Sequence, residues 1–425
     1  MNKSPHPPFS KGGQGGILGM LGPNKKTGGT MTRKIPLSEP VLGGNEWKYL
    51  KDCLDSGWVS SSGKYVERFE NEIASLVGVK HAVATVNGTA AIHTALMVAG
   101  ITHGDWVMVP TLTFIATANP VMYCNARPFF LDCEPETFNL DPEKLLQAVK
   151  KLDQSGQRPK AVIVAHLYGH PCDMDPIMEV ANQYGMVVIE DATEAIGAKY
   201  KGKSVGRLGH IGCFSFNGNK LITSGGGGML VTDLSEYAQR ARYLTTQARD
   251  DKLEFVHHEV GYNYRLTNLQ AALGLAQLEK VYEFIEKKRA IASYYQNHLK
   301  GVHGIRIAQE APWAYSSFWL VPSLVDMEKF GMSSRDLCHF LSKQSIESRP
   351  FFCPLHKLHP FQGFASDHIE IADRVYEQGL LLPSSLSLTE TDLSEVVNRI
   401  LQVKPRDHYF PEGEKTIWQP YMRRI

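Results

Sequence analysis

The chain has 425 residues, 43% of them hydrophobic, and a formal net charge of +1. That length suits two domains with a full core, and the near-neutral balance gives no electrostatic case for nucleic acid or an anionic membrane as a partner. Its seven cysteines are odd in number and dispersed, with no CxxC pair and no Cys/His ligand spacing. This fits reduced thiols in a cytoplasmic protein and argues against a disulfide framework or a zinc site.

Residues 1–30 read MNKSPHPPFSKGGQGGILGMLGPNKKTGGT. They are crowded with Gly, Pro, Ser and Lys, cannot bury enough apolar surface to order themselves, and lack the apolar stretch of a signal peptide. A disordered leader is expected, with Met31 as an alternative translation start. No apolar run is long enough to span a bilayer.

From about residue 80 to 232, short apolar runs alternate with helical patterns. Strands are predicted at His81–Thr85, Trp106–Pro110, Pro128–Asp132, Ala161–Ala165, Met186–Glu190, Cys213–Phe216 and Gly228–Thr232. Helix-period segments such as Thr89–Ala99 and Pro142–Lys151 lie between them. Runs apolar on both faces predict a mostly parallel seven-stranded sheet covered on both sides by helices, an α/β domain over residues 31–285. Residues 267–297 predict a long amphipathic helix with at most one break, since Leu269, Ala272, Leu273, Leu275, Leu278 and Tyr282 recur at helical spacing. Residues 286–403 read as a smaller α+β domain, with a strand at Ser317–Val321 and helices at Ser334–Ser342, Ala372–Gly379 and Glu390–Val403. Residues 404–425 form a polar, aromatic tail.

The chemistry concentrates around Lys220, which lies in an apolar, glycine-flanked segment running from Cys213 to Gly228. An uncompensated buried ammonium is costly, so such a lysine is either a surface loop residue or an amine that bonds an aldehyde cofactor. Three other features favour the second reading, each past the end of its own predicted strand, where α/β sheets hold their ligands. Asp191 follows MVVIE and could keep a pyridine nitrogen protonated; the alternative is a helix cap. The turn Asn87–Ala91 opens a helix whose Thr89 and Ala90 amides could meet a phosphate, with Ser215 and Asn217 as further donors; the alternative is an ordinary helix start. Phe114, in PTLTFIA, could stack on a flat ring; the alternative is a core phenylalanine. Gly225 to Gly228 matches neither GxGxxG nor a Walker A pattern and reads as a close-packing turn into a strand, which disfavours a nicotinamide-binding domain.

The segments EDATEAIG (from Glu190), FSFNGNK (ending at Lys220) and GYNYRLTNLQAALG (from Gly261) closely resemble the DegT/DnrJ/EryC1/StrS family of sugar aminotransferases. The resemblance runs from about Ile35 to Val403. It also takes in Ser56–Ser60 with Gly63, Phe69 and Glu70, His166–Gly169, and Arg349-Pro with Pro354-Leu-His356. It implies a fold-type I pyridoxal phosphate enzyme and a homodimer with shared active sites. By position it implies Lys220 as the Schiff-base lysine, Asp191 on the pyridine nitrogen, Thr89, Ala90 and Ser215 on the phosphate, and Phe114 on the ring. Asn263 and Arg265 would reach a partner subunit's site, and His356 would face the sugar nucleotide. Glu194 stands where many members carry Gln near the cofactor's phenolic oxygen. Lys220, where the family's dehydratases carry His, implies transamination.

The implied reaction has two stages, with Lys220 moving the proton. L-Glutamate leaves its amino group on the cofactor and departs as 2-oxoglutarate. The keto carbon of a 4-keto-6-deoxy nucleotide sugar then takes that group, in a pathway to surface polysaccharide. The alternatives are a 3-keto nucleotide-sugar aminotransferase and a non-catalytic sugar-nucleotide-binding regulator on the same fold.

Overall fold

A computed structural model describes residues 33–251 and 253–403, and the fold below is that of the unit beginning at Lys34. The expected leader and tail lie outside the described residues.

The strands are β1 (His81–Thr85), β2 (Trp106–Pro110), β3 (Arg127–Leu131), β4 (Ala161–Ala165), β5 (Val187–Asp191), a short hairpin of β6 (Lys199–Tyr200) and β7 (Lys203–Ser204), β8 (Ile211–Ser215) and β9 (Gly228–Thr232). Seven form one sheet in the order β1-β9-β8-β5-β4-β2-β3. The pairs among β2, β3, β4, β5 and β8 are parallel, and β9 alone runs antiparallel to its neighbours β8 and β1. All seven predicted sheet strands are present, within two residues at each end. The β6–β7 hairpin was not predicted, because strands of two residues carry no periodicity.

Alternate side chains point to opposite faces of a strand, and the core divides accordingly. Val107, Val109, Ile163 and Ile189 pack with the helix Gly88–Val98 on one face. Met108, Val162, Val164 and Val188 pack with the helices Pro142–Gln154 and Met174–Tyr184 on the other. Both faces are dry, which is why these strands read as continuous apolar runs.

The predicted long helix is two, Asn268–Leu278 and Val281–His298, broken at Glu279–Lys280. Thr267 and Gln270 form a reciprocal capping box that fixes the first start. Beyond them, β10 (Ile305–Ile307), β12 (Val321–Val325), β14 (Gly379–Leu382) and β13 (Arg349–Pro350) make a second, antiparallel sheet in that order, while β11 (Ala314–Tyr315) joins the β6–β7 hairpin. The strand predicted at Ser317–Val321 begins instead at Val321. Residues 316–320 are bent by a positive φ of 44° at Phe318, whose amide donates to the Ser316 hydroxyl. They pack against the turn at Gly169, where a Cβ would lie 2.6 Å from Ser317 Oγ and 2.7 Å from the Trp319 nitrogen.

Candidate active site

The carboxyl ends of β2, β4, β5 and β8, with the loop after β1, open on one cleft of about 240 Å³. Thr89, Phe114, Asp191, Glu194, Ser215, Asn217 and Lys220 all line it. Residues from four separate strand ends, spread over more than a hundred positions, therefore face the same space.

One end of the cleft is formed by a helix start. Asn87 follows β1 and caps the helix Gly88–Val98, its side chain accepting the Ala90 amide at 2.8 Å. That bond gives the Ala90 N–H to the cap. The Thr89 amide precedes any acceptor within the helix and sits at the helix's positive end, with Ser215 opposite. Gly88 is what lets these parts meet. A Cβ there would fall 2.8 Å from Ser215 Cβ and 3.1 Å from Thr193 Cγ2. Gly228 does the same one strand over, since a Cβ would lie 2.4 Å from the Asn87 oxygen. The glycine run is thus a close-packing turn.

Asp191 ends β5 and is almost fully buried. Thr117 donates to its Oδ2 at 2.6 Å, Thr113 Oγ1 lies 2.8 Å from Thr117 Oγ1, and the Thr193 amide donates to Oδ1 at 3.2 Å. The carboxylate caps a turn, not a helix, and its orientation is set from two sides. Its neighbour Glu190 points the other way. It sits 2.9 Å from His166 Nε2 and accepts the amides of Gly206, Leu208 and Gly209, so a buried charge has a full set of donors. This pins the end of β5 to the loop before β8.

Lys220 Nζ lies 3.5 Å from Glu194 Oε1 and 4.0 Å from the centre of the Trp319 indole. The other Glu194 oxygen accepts the Tyr168 amide at 2.9 Å. Burial pushes the Glu194 carboxyl above its ordinary range, although Lys220 beside it pulls the other way. Phe114 is 52% exposed and lies 5.5 Å from Phe352, so it is a cleft-wall aromatic and not a core residue.

Four expected residues do not line this cleft. Ala90 is held in the cap. Asn263 is exposed, bridging to Thr246. Arg265 bonds Glu70 at 2.5 Å, a buried carboxylate that also takes Arg242 at 2.8 Å. His356 has Nδ1 2.8 Å from Thr111 Oγ1 and Nε2 3.4 Å from Asp373, and burial lowers its pKa from the ordinary value. Conversely, Thr113, Thr117, Phe352 and Trp319 line the cleft without having been singled out. The two threonines flank Phe114 at a spacing of four, a signal present in PTLTFIAT. Trp319 lies about a hundred positions from Lys220 and left no local sign.

The DegT/DnrJ/EryC1/StrS aminotransferase family matches residues 40–401. The GDP-perosamine synthase of Caulobacter vibrioides is 42% identical over 372 residues, covering 87% of this chain and 98% of that protein. The GDP-perosamine synthase of Vibrio cholerae is 41% identical over 367 residues, covering 86% and 98%. The crystal structure of DesI in the presence of its TDP-sugar product superposes with a TM-score of 0.80 at 30% identity, over 88% of this chain and 94% of that one. A match over most of the length, on a fold with this cleft, establishes that the chain belongs to the DegT/DnrJ/EryC1/StrS aminotransferase family and is a pyridoxal phosphate-dependent sugar transaminase.

Proposed function

We propose that this enzyme moves an amino group from L-glutamate to a 4-keto-6-deoxy nucleotide sugar, for surface polysaccharide synthesis in the cytoplasm. The observation that carries the chemistry is the convergence of Lys220, Asp191 and Glu194 on one cleft. The substrate class is supported by the similarity to two GDP-perosamine synthases and to DesI with its TDP-sugar product. The glutamate donor and the 4-keto position rest on the resemblance of the motifs. The cytoplasmic reading is supported by seven free cysteines.

The cleft fits pyridoxal phosphate. The close approach that Gly88 permits brings a helix start and Ser215 together, where they would meet the cofactor's phosphate. Asp191, held by Thr117 and Thr193, would keep the ring nitrogen protonated, and Phe114 would cover the ring. When bound, the cofactor supplies an aldehyde that takes up and releases an amino group and a ring that accepts the electron pair left as a proton departs. Lys220 Nζ would take the proton from the amino-bearing carbon and return it, acting as base and then acid. Glu194 offers that amine a charge partner at 3.5 Å. The walls keep most water from Lys220, Asp191 and Glu194, which strengthens each interaction.

We also infer a homodimer. Asn263 is exposed outside the cleft of its own chain, and the apolar side chains Trp47 (76%), Trp58 (59%) and Val260 (80%) stand in solvent.

The test is turnover with a panel of 4-keto and 3-keto nucleotide sugars, following 2-oxoglutarate. A Lys220→Ala enzyme should lose the visible band of the lysine-linked cofactor and all turnover. A Lys220→Ala enzyme that still aminated a keto sugar would sink the assignment, and preference for a 3-keto sugar would move the substrate.

A further inference from the structure

We propose that Trp319 is a positioning residue for the Lys220 amine, and that Lys288, in the helix behind it, holds Trp319 in place. This rests on the reading of Lys220 as the proton-moving lysine.

Trp319 is 3% exposed and meets both Lys220 and the residue before it. The centre of its indole is 4.0 Å from Lys220 Nζ, a distance at which a cation is attracted to the ring face. Its Nε1–H donates at 2.6 Å to the carbonyl of Asn219, the residue just before Lys220. The ring therefore fixes both the backbone that carries the lysine and the space its amine occupies. Glu194 stands on the amine at 3.5 Å. Between a carboxylate and an indole face the amine has a defined resting place.

Trp319 is itself clamped. Its carbonyl accepts from Lys288 Nζ at 2.8 Å and from Ser384 Oγ at 3.2 Å. Lys288 Nζ also donates to the Ser384 carbonyl at 2.5 Å and lies 3.4 Å from Ser384 Oγ. Lys288 is 1% exposed, and these acceptors are all uncharged oxygens. Burying an amine on such partners costs stability, and an apolar side chain of that length would fill the same volume more cheaply. What the amine does is tie the bent segment at Phe318, φ 44°, to the end of β14.

The opposite side of that segment is held by the turn at Gly169. The Gly169 carbonyl accepts the Ser317 amide at 3.0 Å and the Ser316 hydroxyl at 3.0 Å. The preceding residue in this turn, Tyr168, gives its amide to Glu194. One pair of braced turns thus sets both groups that flank the Lys220 amine.

The experiment uses the full-length holoenzyme. Trp319→Leu should bind the cofactor yet lower kcat on the order of tenfold, with KM for glutamate little changed. The pH midpoint of the cofactor's visible band should shift by about half a unit or more. Trp319→Phe, which keeps a ring face, should fall between. Lys288→Met should move kcat and the midpoint the same way. The double variant should resemble Trp319→Leu alone, because Lys288 acts through the indole. Lys288→Gln keeps an N–H donor and should recover part of the loss; it also serves if the methionine variant does not fold. An unchanged kcat and midpoint in cofactor-loaded Trp319→Leu overturns the proposal while leaving Lys220 in its role. Additive effects in the double variant overturn the part assigned to Lys288. Failure of the underlying reading would show separately, as turnover by Lys220→Ala.

Discussion

Burial against uncharged oxygens pushes the Lys288 amine down to about 7, while three oxygens around Nζ favour its charged form. We take burial as the larger effect, since none of those partners carries a charge. The sign then follows. A lysine whose value falls on folding penalises the native state in its charged form. The penalty is full below the native value and fades as the pH climbs from about 7 toward the ordinary lysine value of about 10.5. The wild type should therefore gain stability relative to Lys288→Met between pH 7 and 10, by about 1.4 kcal/mol for each pH unit crossed. Denaturant midpoints of both proteins across that range measure it, and a flat difference would show that Lys288 keeps its ordinary titration. Glu194 is displaced in the opposite direction for the same reason, burial. Lys220 is its charge partner at 3.5 Å.

At the scale of elements, the site depends on how closely the helix Gly88–Val98 approaches the end of β8. Gly88 has no left-handed requirement, so its role is steric: a methyl group would press on Ser215 and Thr193. Gly88→Ala should separate the helix start from Ser215 and weaken cofactor retention. An overpacking strain of about 1–3 kcal/mol corresponds to a loss of roughly tenfold to a hundredfold in affinity. Dialysis followed by the residual visible band would measure it. An alanine variant that retains the cofactor like the wild type would show that this contact does not shape the cradle. The strands around the cradle were legible in the sequence because burial on both faces writes a continuous apolar run, as in AVIVA from Ala161 to Ala165, all buried. Lys220, Asp191 and Phe114 were legible because each lies just beyond such a run. Trp319 was not, because its place is decided by a bent segment packing on Gly169, a contact between residues 150 positions apart. The end of the long helix pattern at Leu278 was only half legible, since Leu278, Val281 and Ile285 continue the apolar stripe across the break. The fate of Ala90 was hidden by the same Asn87 side chain that makes the motif recognisable.

At the scale of the molecule, one chain supplies the cleft floor but leaves Asn263 outside it and exposed. If the partner subunit's Asn263 completes each site across a two-fold axis, the two functions are separable between chains. Lys220→Ala and Asn263→Ala proteins should each be nearly inactive alone, the first for want of the amine, the second for want of a donor to the neighbouring site. Denatured together and refolded at equal amounts, half of the dimers would be mixed, each with one site that has both residues. Activity should then return to about a quarter of the wild-type level. The mixture would regain nothing if Asn263 served its own chain, because every site would then lack one of the two residues. Sedimentation velocity on the same samples reports whether dimers have re-formed, so a folding failure is told apart from a site built within one chain.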